Sequence, residues 1–119
     1  MNYLKKYVDF EEKTFAEFGC GRGILATEIL KDKGVKFYNA IEISEISIIK
    51  ELSVNYLFKN LKSIDFIKDN TIDIFIMIQS IEHLSDINIF FQSLKKKIKK
   101  SSLILIETPN YNKQYYKYK

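Results

Sequence analysis

The chain has 119 residues, 46% of them apolar and 29% charged, with a formal net charge of +4. That is one soluble, globular domain, and it excludes disordered, collagen-like and linker-rich classes. No apolar run approaches the roughly 20 residues of a membrane-spanning helix, the first residues lack the apolar stretch of a signal peptide, and the lone Cys20 allows neither an internal disulfide nor a Cys/His metal cluster. A reducing cytoplasm is therefore the expected compartment, with no metal and no membrane partner. The charge is uneven: residues 95–119 hold eight lysines against the single acid Glu107, and the rest of the chain is net acidic. A solvated, lysine-rich end accounts for this more simply than a nucleic-acid contact, so nucleic acid is disfavoured as a partner.

In chain order, Thr14 to Phe18 reads as a first strand ended by a glycine-rich turn. Ile24 to Lys33 reads as a helix, with Leu25/Ile29 and Ala26/Leu30 at four-residue spacing and Gly34 as its stop. Val35 to Ile41 reads as a second strand. Ser44 or Ser47 then caps a helix with Ile48, Ile49, Leu52 and Tyr56 on its apolar face. A short third strand is expected near Leu57-Phe58. Ile72 to Ile78 is a fourth, nearly all apolar, as a strand covered on both faces should be. Ser85 or Asp86 caps an amphipathic helix carrying Ile87, Phe90, Phe91, Leu94 and Ile98, and Leu103 to Ile106 forms a fifth strand. Alternating strands and helices imply crossover connections and a parallel sheet, whose ligands gather beyond the carboxyl ends of the strands at the switch point.

The stretches at those ends carry the chemistry. Glu17-Phe18-Gly19-Cys20-Gly21-Arg22-Gly23 joins strand one to a helix, and its glycines permit a tight turn and close approach of a ligand to the backbone. Glu42 follows strand two, nineteen residues after Gly23, where a carboxylate can accept two hydrogen bonds from ribose hydroxyls. A nicotinamide-binding domain shares both features, but its G-x-G-x-x-G fingerprint requires glycine at position 24, which is Ile24.

The glycine stretch resembles the acidic-x-Gly-x-Gly-x-Gly signature of class I S-adenosylmethionine-dependent methyltransferases, with Glu17 where that family usually has Asp. Gln79-Ser80-Ile81-Glu82-His83-Leu84 and Thr108-Pro109-Asn110 resemble a branch that includes small-molecule O-methyltransferases. The resemblance runs from about residue 14 to 110, with 111–119 a Tyr/Lys tail of one domain, 1–119. It implies a Rossmann-like three-layer α/β/α sandwich with a mostly parallel sheet, and methyl transfer from S-adenosylmethionine to a small-molecule acceptor. It implies that Glu17 orients the methionine end of the cofactor and that Gly19 and Gly21 form its floor, with Cys20 and Gly23 in the same loop. Glu42 and Ile43 then lie at the ribose, Asn60 at the adenine and Gln79 at the end of strand four. His83, the only histidine, is either a general base for a substrate hydroxyl or a group held at a helix start beside Glu82. No Asn/Asp-Pro-Pro-aromatic motif of base-amino methyltransferases follows strand four.

Family domains usually continue past strand five with a helix and a two-strand hairpin, and Lys99-Lys100-Ser101-Ser102 stands where a Pro-Gly-Gly turn is usual. Two expectations follow: a minimal or truncated enzyme whose open site is completed by a partner or a second copy, or a degenerate module that binds cofactor or protein without catalysis.

Overall fold

A computed structural model describes residues 2–44 and 52–108. Five strands, β1 (Thr14–Phe18), β2 (Phe37–Ile41), β3 (Tyr56–Lys59), β4 (Ile72–Ile78) and β5 (Ile98–Glu107), form one all-parallel sheet in the order β3-β2-β1-β4-β5. The helices are α1 (Asn2–Lys5), α2 (Ile24–Ile29) and α3 (Ile87–Lys97), with a 3-10 turn at Ile81–His83.

The period-2 alternation of β1 sorts the core. Phe15 packs with Ile29 and Ala26 of α2 and with Leu4 and Phe10; its ring stacks on Tyr38 at 5.5 Å. Ala16 and Phe18 face the other way, onto Phe90 and Leu94 of α3. Both faces of the sheet are thus covered, which explains why β4 is buried almost throughout. This is the expected α/β/α sandwich.

β2 and β4 flank β1 on opposite sides, so the strand order reverses at β1 and opens a crevice beyond its carboxyl end. The amino ends are tied by Asp73, which accepts from Thr14 N at 2.8 Å and pairs with Lys99 Nζ at 3.0 Å.

Several boundaries differ from expectation. α2 stops at Ile29, not Lys33, because Asp32 Oδ1 takes the Gly34 N–H at 2.9 Å and folds the chain into a turn. Residues 45–51 lie outside the described residues, so Ser47, Ile48 and Ile49 carry no structural account. Tyr56, expected on a helix face, opens β3 beside Tyr38. Asp86 is the cap of α3, accepting from Ile89 N at 3.0 Å. Ile87 is exposed rather than packed, and Ile98 opens β5 opposite Ile72. β5 therefore begins five residues before Leu103. Between Ile98 and Leu103 it bulges away from β4, and Ser102 Oγ closes the excursion on the carbonyls of Ile72 (2.6 Å) and Lys99 (2.7 Å).

Candidate active site

The loop after β1 is pinned from β2. The Ile41 carbonyl accepts from both Gly19 N (2.7 Å) and Cys20 N (2.9 Å). One residue on, Glu42 Oε1 accepts from Gly21 N at 2.9 Å, and its Oε2 accepts from Ser44 N at 2.9 Å. Glu42 itself is held by Lys59 of β3, whose carbonyl takes the Glu42 N–H at 3.1 Å. The carboxylate expected at a ribose therefore lies against the glycine loop and fixes its shape.

Two glycines are required by this geometry. Gly19 has φ +83°, and a Cβ there would overlap the Ser80 side chain, so its absence lets the loops after β1 and β4 meet. Gly21 has φ +55°, and nothing lies within 4 Å of where its Cβ would be; its exposed side is open to a ligand. Gly23 caps α2, its carbonyl accepting from Thr27 N and Thr27 Oγ1.

Beside this loop lies a cavity of about 470 Å3, lined by Glu17, Gly19, Cys20, Gly21, Arg22, Ile24, Leu25, Glu28 and Ile78. Its volume falls in the range of small-molecule sites. Glu17 is 4% exposed and accepts from Tyr38 Oη at 2.6 Å. Burial raises its carboxyl from the usual 4.5 to about 7; the Tyr38 bond opposes the rise and the Glu42 charge adds to it. Burial likewise pushes the Cys20 thiol up to about 12, with the Glu17 and Glu42 charges adding, so it sits there as a small neutral filler.

The other expected residues surround this centre without lining the cavity. Asn60 Nδ2 donates to the carbonyls of Glu42 (2.6 Å), Ser44 (3.2 Å) and Ile43 (3.3 Å), holding the turn after β2 in place. Ile43 is exposed on that turn. Gln79, at φ +54°, donates through N to the Glu107 carbonyl at 2.7 Å and so joins the carboxyl ends of β4 and β5. His83 lies on the 3-10 turn past β4, with its side chain 74% exposed and Nε2 3.9 Å from Glu82 Oε1.

Sequence reasoning missed Tyr38, Ser80, Ile24, Leu25, Glu28 and Ile78, and it placed Arg22 in the glycine loop without a role of its own. Ile24 and Glu28 had a legible signal, because four-residue spacing places both on one face of a helix beginning at the loop. Tyr38 had a weaker one: a buried tyrosine hydroxyl in an apolar strand needs a partner. Ser80 had none, since only tertiary packing brings it to Gly19.

Among curated proteins, the chain is 26% identical over 127 residues to a ubiquinone biosynthesis O-methyltransferase of Rickettsia bellii, covering 98% of this chain and 52% of that protein. It is also 26% identical over 118 residues to the protein of that name from Rickettsia conorii, covering 91% of this chain and 39% of the other. The chain thus spans about half or less of these relatives' length. Among solved structures, it superposes on a putative S-adenosylmethionine-dependent methyltransferase of Methanococcus maripaludis with a TM-score of 0.77 at 19% identity, covering 95% of this chain and 55% of that one. It superposes on a methyltransferase of Aquifex aeolicus with a TM-score of 0.68 at 25% identity, covering 88% and 61%. The family model described as a methyltransferase domain matches residues 2–118. A parallel sheet reversing at β1, a glycine loop clasped by the acid after β2, and this match over nearly the whole chain agree, and the chain belongs to the methyltransferase-domain family.

Proposed function

We propose that the chain binds S-adenosylmethionine in the crevice beyond β1 and serves methyl transfer to a small-molecule acceptor in the cytoplasm. The observation that carries this reading is the clasp between Glu42 and Gly21 N beside the buried Glu17, which forms no ion pair among the described residues. A ligand suited to this place has a cationic end for Glu17 and a hydroxylated sugar for Glu42. The open space at Gly21 and the cavity volume fit such a ligand.

When bound, the cofactor supplies a methyl group already activated on a sulfonium, so alignment for in-line displacement is the main demand on the protein. Glu17 takes the ammonium of the methionine end, with Gly19, Cys20, Gly21 and Gly23 shaping the floor. Glu42 accepts from the ribose, and Ile43 and Asn60 border the adenine. Gln79 sets the end of β4 beside the reacting face. His83 is assigned as general base for an acceptor hydroxyl, supported by its place past β4 and by its exposure. The names of the O-methyltransferase relatives support an oxygen acceptor, and in this reading a partner or a second copy completes the acceptor side.

Calorimetry with S-adenosylmethionine and S-adenosylhomocysteine tests the reading. Both should bind, and Glu42→Ala should weaken them about ten- to a hundredfold, the value of a lost pair of hydrogen bonds to a charged group. Equal affinity in the variant would remove Glu42 from the site.

A further inference from the structure

The two edges of the sheet differ. β3 is four residues long and ends on the exposed Lys59, and a short, lysine-tipped edge resists pairing with another chain. β5 is ten residues long, and no strand among the described residues lies on its outer side. Its amino half is blunted by the bulge and by Lys99 and Lys100. Its other half, Leu103 to Glu107, runs in unbroken register with β4 and begins with four consecutive aliphatic residues. Leu103 and Leu105 pack against the core on the α2 side. Ile104 and Ile106 fall on the opposite face by the period of the strand, where they are 41% and 37% exposed. Lys100 precedes this stretch and Glu107 closes it; both are exposed, and neither forms an ion pair among the described residues.

Such a strand complements itself when turned end for end. A two-fold axis through Leu105, perpendicular to the sheet, sets β5 antiparallel to a second copy and keeps each face on its own side. Ile104 of each copy then lies opposite Ile106 of the other, and Glu107 of each lies toward Lys100 of the other. A parallel pairing would instead set lysine beside lysine and acid beside acid. We propose that the carboxyl half of β5 is a self-association edge, occupied by a second copy of this chain paired antiparallel, so that one sheet runs through both. The Glu107 carbonyl accepts from Gln79 N at 2.7 Å, so the second copy stands beside the end of β4. The pairing is independent of the cofactor reading, which calorimetry tests separately.

Sedimentation of the full chain tests it, because association of identical copies rises with concentration. Wild type should show a monomer–dimer equilibrium. Ile104→Lys, at an exposed position, should raise the dissociation constant about tenfold or more, since it spoils an apolar cross-strand pair twice per dimer. Lys100→Glu and Glu107→Lys should each weaken association about two- to tenfold, and the double variant should return to within about twofold of wild type. Circular dichroism matching wild type shows that each variant stays folded. A chain that is monomeric at every concentration overturns the proposal. A dimer indifferent to Ile104→Lys, or a double variant no better than the single ones, overturns it equally.

Discussion

The two ends of the sheet each carry a cavity, and the larger is not the one with converging chemistry. At the amino end, about 550 Å3 is lined by Lys36, Lys68 and Lys99 with Phe37, Leu57 and Phe66. Its neighbouring buried or half-buried charges are compensated: Lys99 pairs with Asp73, and Lys97 pairs with Asp69 at 2.8 Å. At the carboxyl end, the smaller cavity has a buried carboxyl group that, among the described residues, forms no ion pair, and a loop held in left-handed conformations. Burial disfavours the ionised form of Glu17 and raises its carboxyl to about 7, so its presence at the cavity points to a ligand that stabilises that form; cavity volume carries no such implication.

The contrast can be broken most sharply at His83. His83→Ala should lower turnover about a hundredfold or more on an identified hydroxyl acceptor, with cofactor affinity unchanged. Intact turnover would return His83 to a surface role.

Next comes Glu17, where fold and function should pull in opposite directions. The folded chain holds a proton up to about pH 7 that the unfolded chain releases near 4.5. Stability from this group is therefore full below about 4.5, declines as pH rises toward 7, and stays reduced above, by about 3 kcal/mol. Glu17→Gln, which can still accept from Tyr38, should abolish that slope and unfold at higher urea than wild type at pH 8. An identical slope in the variant would place the titration elsewhere. Ligand affinity should show the reverse sign, because the ammonium needs the ionised carboxylate. S-adenosylhomocysteine should bind more weakly below pH 7, by at most about tenfold per pH unit, and Glu17→Gln should flatten that dependence.

Gly19→Ala should destabilise by about 1–3 kcal/mol, from the left-handed backbone alone, before the overlap with Ser80 is counted. Denaturant midpoints measure it, and a wild-type midpoint would show that the two loops do not meet as described. The smallest effect belongs to the amino end: Lys68→Ala should change cofactor affinity less than twofold. A larger loss there would erase the distinction between the two cavities.

The alternation of apolar runs and glycine breaks determined β1 and β4 to the residue, because these strands are central and their burial is written in local composition. The parallel sheet, the loop of three glycines and the acid after β2 were legible for the same reason: each is a short-range pattern with one economical backbone solution. Where α2 stops, where β5 begins and where Tyr56 sits were not, because side-chain bonds from Asp32 and Ser102 and pairing with β2 override local periodicity. Nor could the sequence show that Tyr38 reaches Glu17, that Ser80 fills the place of a Cβ at Gly19, or that Arg22 shares a cavity with a buried carboxylate. Those relations join residues of different strands and loops, and only the folded sheet brings them within a few ångströms.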